Sequence, residues 1–206
     1  YGSAMTPFYS TLAIWVGAVV MAAMLKVTVA DSTKKKLTNP KEHQLYIGRI
    51  LLLIIIGFMQ SALICLGDLF FLGIQCKHPV MFVLTGMFTS FVYVNLIYAL
   101  TVSFGDIGKA IAVVLMVMQV AGSGGTFPIQ CAPKFFQVVY PLLPFTHSMN
   151  AMRECIAGFY ETTYATELGK LAIFLVPSLL LGLLLRKPII KMNDAFMEKL
   201  ESTHLI

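Results

Sequence analysis

Charge is scarce in this chain. Only 12% of its 206 residues are Asp, Glu, Lys or Arg, against about 25% in a soluble domain. No His-Glu-x-x-His or Gly-x-Ser-x-Gly motif is present, so the usual metalloprotease and serine-hydrolase chemistries have no carrier. Cys65, Cys76, Cys131 and Cys155 are the four cysteines, and their spacing fits no zinc site. Gly105–Asp106–Ile107–Gly108–Lys109 is the nearest approach to a phosphate loop. Its glycines are too close together, and Ala110 stands where Ser or Thr would bind the metal of a nucleotide. The chain therefore reads as a non-enzyme with no cofactor and no metal. No solenoid or propeller repeat and no low-complexity tract is visible, and nothing at the start resembles a signal peptide.

What the chain has instead is apolar length. Hydrophobic residues make up 58% of it, gathered in blocks near the ~20 residues that cross a bilayer core of ~30 Å. Five spans are predicted, at about 8–29, 47–71, 80–102, 107–125 and 168–185, with Pro177 as a kink in the last. The fold class is all-α, a polytopic helical membrane bundle in one domain over 1–206. The net charge of +5 then reports orientation rather than nucleic-acid binding. With the N-terminus outside, Lys26, Lys34, Lys35, Lys36, Lys41, Arg49, Lys109, Arg186, Lys187, Lys191 and Lys199 fall inside, and only Lys77, Lys134, Arg153 and Lys170 fall outside. Eleven against four predicts N-out, C-in. An N-out start beginning at Tyr1 suggests a piece of a longer protein, with one more span and an extracellular region upstream. Cys76 and Cys131 share the outer side, which leaves a disulfide between them open beside two free thiols.

Helix punctuation marks the cytoplasmic loop at 31–46. Asn39 can cap, Pro40 suits the first helical position, and Glu42 sits at the third. With Lys41 and Arg49, these residues form a candidate coupling loop, a short surface helix entering the second span. The cytoplasmic tail, 186–206, places Ile189, Met192, Phe196 and Leu200 near one helical face. It suits a membrane surface, a docking partner or plain solvent.

Polar residues within spans are few. Gln60, Asn95 and Gln119 are amides that commonly tie helices together, or line a substrate path. Asp68 lies near the outer end of its span, within reach of headgroups or water, or as an ion site.

The most informative segment is Ala121–Gly158. It breaks at glycines, passes four prolines and is too apolar to be disordered. Long structured loops of this kind are usually functional. It reads as an outward-facing broken hairpin over 126–160. A short interfacial helix carries Lys134, Phe135, Phe136 and Tyr140. Pro141 and Pro144 make a turn, and a second helix starts near Phe145. On that helix Phe145, Met149, Met152 and Ile156 form an apolar face, while His147, Asn150 and Glu154 share another beside Arg153. Arg153 and Glu154 are adjacent and cannot face each other, so each pairs elsewhere. Gly124, Gly125, Phe127, Pro128, Pro141, Pro144, His147, Asn150, Arg153 and Glu154 are the candidate gate, or else the framework of a purely structural hairpin.

This order of elements resembles the membrane domain of type-2 ABC exporters. The matching stretches are Gly124–Gly125–Thr126–Phe127–Pro128, Ala132–Pro133–Lys134–Phe135–Phe136, Tyr140–Pro141–Leu142–Leu143–Pro144–Phe145–Thr146 and Asn150–Ala151–Met152–Arg153–Glu154. The start, Tyr1–Gly2–Ser3–Ala4–Met5–Thr6–Pro7–Phe8–Tyr9 and then Leu12–Ala13–Ile14–Trp15–Val16–Gly17–Ala18, resembles the C-terminal membrane domain of the YhgE/Pip group, the phage infection proteins. That resemblance implies a multi-pass protein of the bacterial cell membrane, sitting in the lipid bilayer, with one upstream span and a large extracellular region. It implies a homodimeric permease that exports an amphipathic or polymeric substrate, driven by a separate ATPase. The alternative is a membrane anchor that transports nothing and holds an extracellular region used by phage or a secretion apparatus.

Overall fold

The computed structural model describes residues 2–25 and 42–185. The expectations for Asn39, Pro40, Lys41 and the 186–206 tail lie outside the described residues. Every regular element among those described is helical. The long helices are α1 (Gly2–Met24), α2 (Glu42–Phe70) and α3 (Pro79–Phe104), followed by the shorter α4 (Asp106–Gly122). The broken hairpin then supplies α5 (Lys134–Val139) and α6 (Pro144–Ala157), and the last segment α7 (Thr163–Ile173) and α8 (Leu175–Leu179). Four stretches are long and apolar enough to cross a membrane: Gly2–Met24, Tyr46–Phe70, Pro79–Phe104 and Thr163–Leu183. At 17 residues, α4 reaches only about 26 Å as a helix, and the chain beyond it unwinds at the glycines. The first helix starts six residues before the predicted span and carries Pro7 inside it, past the first turn.

At the centre stands α3. Residues Val92, Tyr93, Val94 and Asn95 are all buried, and no single helical face can supply four consecutive buried positions. It packs against α1, α2, α4, α6 and α8. By contrast, α2 exposes Ile47, Leu51, Ile55, Met59, Leu63, Leu66 and Phe70, an apolar stripe at steps of three and four residues. Water would penalise such a stripe; lipid does not.

Trp15, fully buried, joins three helices. Its Nε1–H donates to the Ala112 carbonyl at 3.2 Å, and its ring meets Tyr93 edge-on at 4.7 Å. The Tyr93 hydroxyl bonds Ser148 Oγ on α6 at 2.5 Å. Small residues let the helices close in: a Cβ on Gly17 would run into the Gln60 amide, and one on Gly86 into Cys65 Sγ. Gly105, at φ +62°, reverses the chain between α3 and α4 in one residue, a conformation other residues rarely adopt.

The last segment breaks at Phe174, three residues before Pro177. Proline has no N–H to give the fourth carbonyl back and its ring crowds it, so the helix is interrupted ahead of the proline rather than at it. All four cysteines are free; the Cys76–Cys131 disulfide left open by the sequence is not formed.

Gly86→Ala is expected to lose about 1–3 kcal/mol through overpacking. Adding Cys65→Ala removes the obstructing sulfur and should bring the loss below about 1 kcal/mol relative to Cys65→Ala alone. Thermal unfolding in detergent reads both; an additive pair would show that the clash lies elsewhere.

Candidate functional site: the broken hairpin

After Gly122 the chain makes a tight path through Gly124, at φ +63°, and Gly125, where a Cβ would strike the Phe8 ring. Phe127 and Pro128 lead out to an exposed stretch, and Phe127 is itself exposed. A short turn at Ile129–Cys131 and helix α5 follow, then a turn at Tyr140–Leu142. Pro144 opens α6, as a first-turn proline can, having no N–H to leave unpaired. The next free N–H, that of Phe145, donates to Gln119 Oε1 on α4 at 3.2 Å. This buried amide thus bonds the backbone of a second element.

The apolar face of α6 is as predicted: Phe145, Met149 and Met152 are fully buried, and Ile156 packs on the core. Phe145 also meets Phe8 edge-on. The polar face differs from expectation in one member. His147 and Asn150 converge with each other, but Glu154 does not join them. Its Oε2 accepts the Tyr160 N–H at 2.7 Å, stitching the turn after α6. The preceding loop finishes that end: the N–H groups of Lys77 and His78 donate to the carbonyls of Ile156 and Cys155, so the last turn's free acceptors are met.

The partner that His147 and Asn150 share is Glu167 on α7. His147 Nδ1 lies 2.7 Å from Glu167 Oε2, and its Nε2 lies 2.9 Å from the Pro141 carbonyl oxygen. Lys170 Nζ sits 2.8 Å from the other carboxylate oxygen. A carbonyl can only accept, and an ionised carboxylate can only accept. Both ring nitrogens of His147 therefore face acceptors, one on the carboxylate and one on the Pro141 carbonyl. His147 and Glu167 are 4% and 8% exposed, so the contact is buried rather than on the surface. Asn150 Nδ2 donates to the Tyr140 hydroxyl at 3.2 Å and faces Glu167 Oε2 at 3.5 Å. Arg153 donates from Nη1 to Asn150 Oδ1 and from Nη2 to the Gly124 carbonyl, each at 3.3 Å. One polar network therefore joins the glycine break, the proline turn, α6 and the start of the last membrane segment.

Glu167 was not among the residues singled out from sequence. It lies one position before the predicted span start at Leu168, and the signal available was its i, i+3 spacing to Lys170. The other polar candidates stand apart from this network. Gln60 packs over Gly17, Asp68 accepts from Ser10 Oγ at 2.5 Å, and Asn95 donates within its own helix to the Phe91 carbonyl. Arg49 is half-buried on α2, and Glu42 begins that helix. Among the described residues no group of three His, Cys, Asp or Glu could hold a metal ion.

His147→Ala strands a buried carboxylate beside one lysine and should cost about 3 kcal/mol. Lys170, half-exposed, is worth less, and Lys170→Gln should cost under about 1 kcal/mol. Thermal unfolding in detergent, with hydrogen exchange over α6, ranks the two; equal losses would mean that the buried pair is not what holds the hairpin.

Comparison with known proteins places the chain in a family. The family model described as ABC-2 family transporter protein matches residues 1–184. The uncharacterized protein YhgE of Bacillus subtilis (strain 168) is 28% identical over 159 residues, which are 77% of this chain and 20% of that relative. The chain thus spans about a fifth of the length of the curated relative it matches. No solved structure matches. With a family match that runs through α1, the central α3 and the whole broken hairpin, this multi-pass domain of the bacterial plasma membrane is YhgE-like and belongs to the ABC-2 family of transporter proteins.

Proposed function

We propose that this domain is the permease part of an exporter whose gate is the broken hairpin. The observation that carries the reading is how α6 is held. It is buried inside the bundle, yet Thr146, His147 and Ser148 are buried along with Phe145 and Met149. It faces α1, α3 and α7, and its ties to them include hydrogen bonds at Ser148, His147 and Asn150. A helix seated by a few directional bonds can be released by exchanging those bonds, whereas a greased seam resists any change of register.

The sidedness of the hairpin follows from topology. Five crossings, N-out and C-in, are supported by the Lys and Arg distribution, with α4 as a short crossing completed by the unwound glycine stretch. The hairpin then lies on the outer side, and the loop around Asn39–Arg49 faces the cytoplasm, where an ATPase subunit would bind. ABC-2 permeases usually work with such a subunit. The spans offer few charges to hold a small ion, which favours an amphipathic or polymeric substrate. A second copy would cover part of the apolar stripe on α2. The anchor reading has one observation in its favour: four-fifths of YhgE lies outside the region matched, enough for an extracellular part that phage or a secretion apparatus could engage.

Two measurements test these readings. In a cysteine-free background, Lys134→Cys should react with a membrane-impermeant maleimide in intact cells, and Lys109→Cys only after permeabilisation. Labelling of both from outside would overturn the five-span topology. Purification of the full-length protein in mild detergent should bring down a stoichiometric ATPase whose turnover rises on reconstitution into liposomes. Recovery of envelope or secretion components alone would favour the anchor.

A further inference from the structure

The half-buried cation of the hairpin, Arg153, has no counter-ion among the described residues. Among the described residues, Glu167 is shared by His147 and Lys170, and Glu154 is committed to the Tyr160 N–H. Arg153 is half-buried, yet its partners are the Asn150 side-chain oxygen and the Gly124 carbonyl, both neutral. Those bonds measure 3.3 Å each, long for a guanidinium, whose charge-assisted bonds run about 2.7–2.9 Å. Only two of its five N–H donors are engaged. Burial works against the guanidinium charge, and a site that desolvates a cation without pairing it has a deficit that an anion would fill.

The surrounding groups fit that role. The Asn150 amide accepts from Arg153 on one side and donates to the Tyr140 hydroxyl on the other. It therefore holds the two side by side. Because the Tyr140 oxygen accepts from Asn150, its own proton is left to donate. Glu167 reaches this group only through Asn150, at 3.5 Å, and the free guanidinium edge beside a phenol proton matches a pair of oxygens of a phosphate or carboxylate.

We propose that Arg153, Tyr140 and Asn150 form a seat for one phosphate- or carboxylate-type anion at the hairpin. The seat takes its functional meaning from the gate reading: an anion there competes with Asn150 and Gly124 for the guanidinium, and so loosens the tie between α6 and the glycine break. Two sources carry this chemistry, a free anionic group or a lipid headgroup. Exposed Phe135, Val138 and Leu142 on the adjoining turns would bring the second within reach.

Thermal unfolding of the full-length protein tests the seat in two arms. One adds inorganic phosphate against chloride at equal ionic strength in an uncharged detergent. The other compares nanodiscs of phosphatidylglycerol with nanodiscs of phosphatidylcholine. The wild type should be stabilised in at least one arm: by phosphate if the seat takes free anions, by phosphatidylglycerol alone if it takes a headgroup. Arg153→Gln should weaken the response by roughly tenfold or more in midpoint concentration or lipid fraction, and Lys134→Gln, an exposed cation, should leave it unchanged. Arg153→Lys keeps the charge without the fork and should fall between, and it carries the test should Arg153→Gln not fold. A wild type indifferent to both anions overturns the seat, as does an Arg153→Gln or Arg153→Lys protein that responds like wild type. None of these readouts needs an ATPase or a transported substrate, so a domain that exports nothing would still show the seat.

Discussion

In hydrocarbon there is no water to satisfy a polar group, so each one must find a partner within the protein. That constraint shapes this domain more than any apolar contact does. It explains why the elements are helical and why buried side chains such as Trp15, Tyr93, Gln119 and His147 each bond a different element. Apolar packing between helices is nearly matched by packing against lipid, so it holds the bundle together but does little to choose its arrangement. The hydrogen bonds choose.

Seen this way, the bundle has two regimes. Around α3 the helices come close because Gly17, Gly57 and Gly86 leave room for neighbouring side chains. Contacts there are dense and geometrically exacting. At the hairpin the chain is short, interrupted and polar, and few bonds define its position. Tyr93–Ser148 and Gln119–Phe145 connect the two regimes. A transporter needs both, a frame that keeps its shape and an element that can leave its place at a cost of few interactions.

The charge distribution follows the same division. Apart from Glu154, the Arg, His, Lys and Glu side chains on α6 and α7 gather in one cluster, where Arg153, His147, Lys170 and Glu167 meet three neutral acceptors. Asp68 sits instead near the end of α2 beside Ser10, and the exposed Asp106–Lys109 pair at the start of α4. Concentrating charge where the chain is broken keeps its desolvation cost away from the frame.

Much of this was legible in the sequence because it depends on composition along the chain. Apolar runs of membrane-crossing length, glycines and prolines at fixed places, and the i, i+4, i+7 face of Phe145, Met149 and Met152 are properties of local segments, and the helices found follow them to within a few residues, α1 and the last segment apart. The hairpin's candidate residues were visible for the same reason. What the sequence could not supply was pairing. Nothing local indicates that Glu167 rather than Glu154 faces His147, that Trp15 reaches Ala112, or that Arg153 is left with neutral acceptors. Those depend on how helices far apart in the chain are rotated and seated, and that seating is shared among many buried polar groups rather than fixed by any one segment. The sequence by itself determined where the chain becomes helical and where it must break; the tertiary structure decided which polar groups meet, because each hydrogen bond needs a partner that another segment brings.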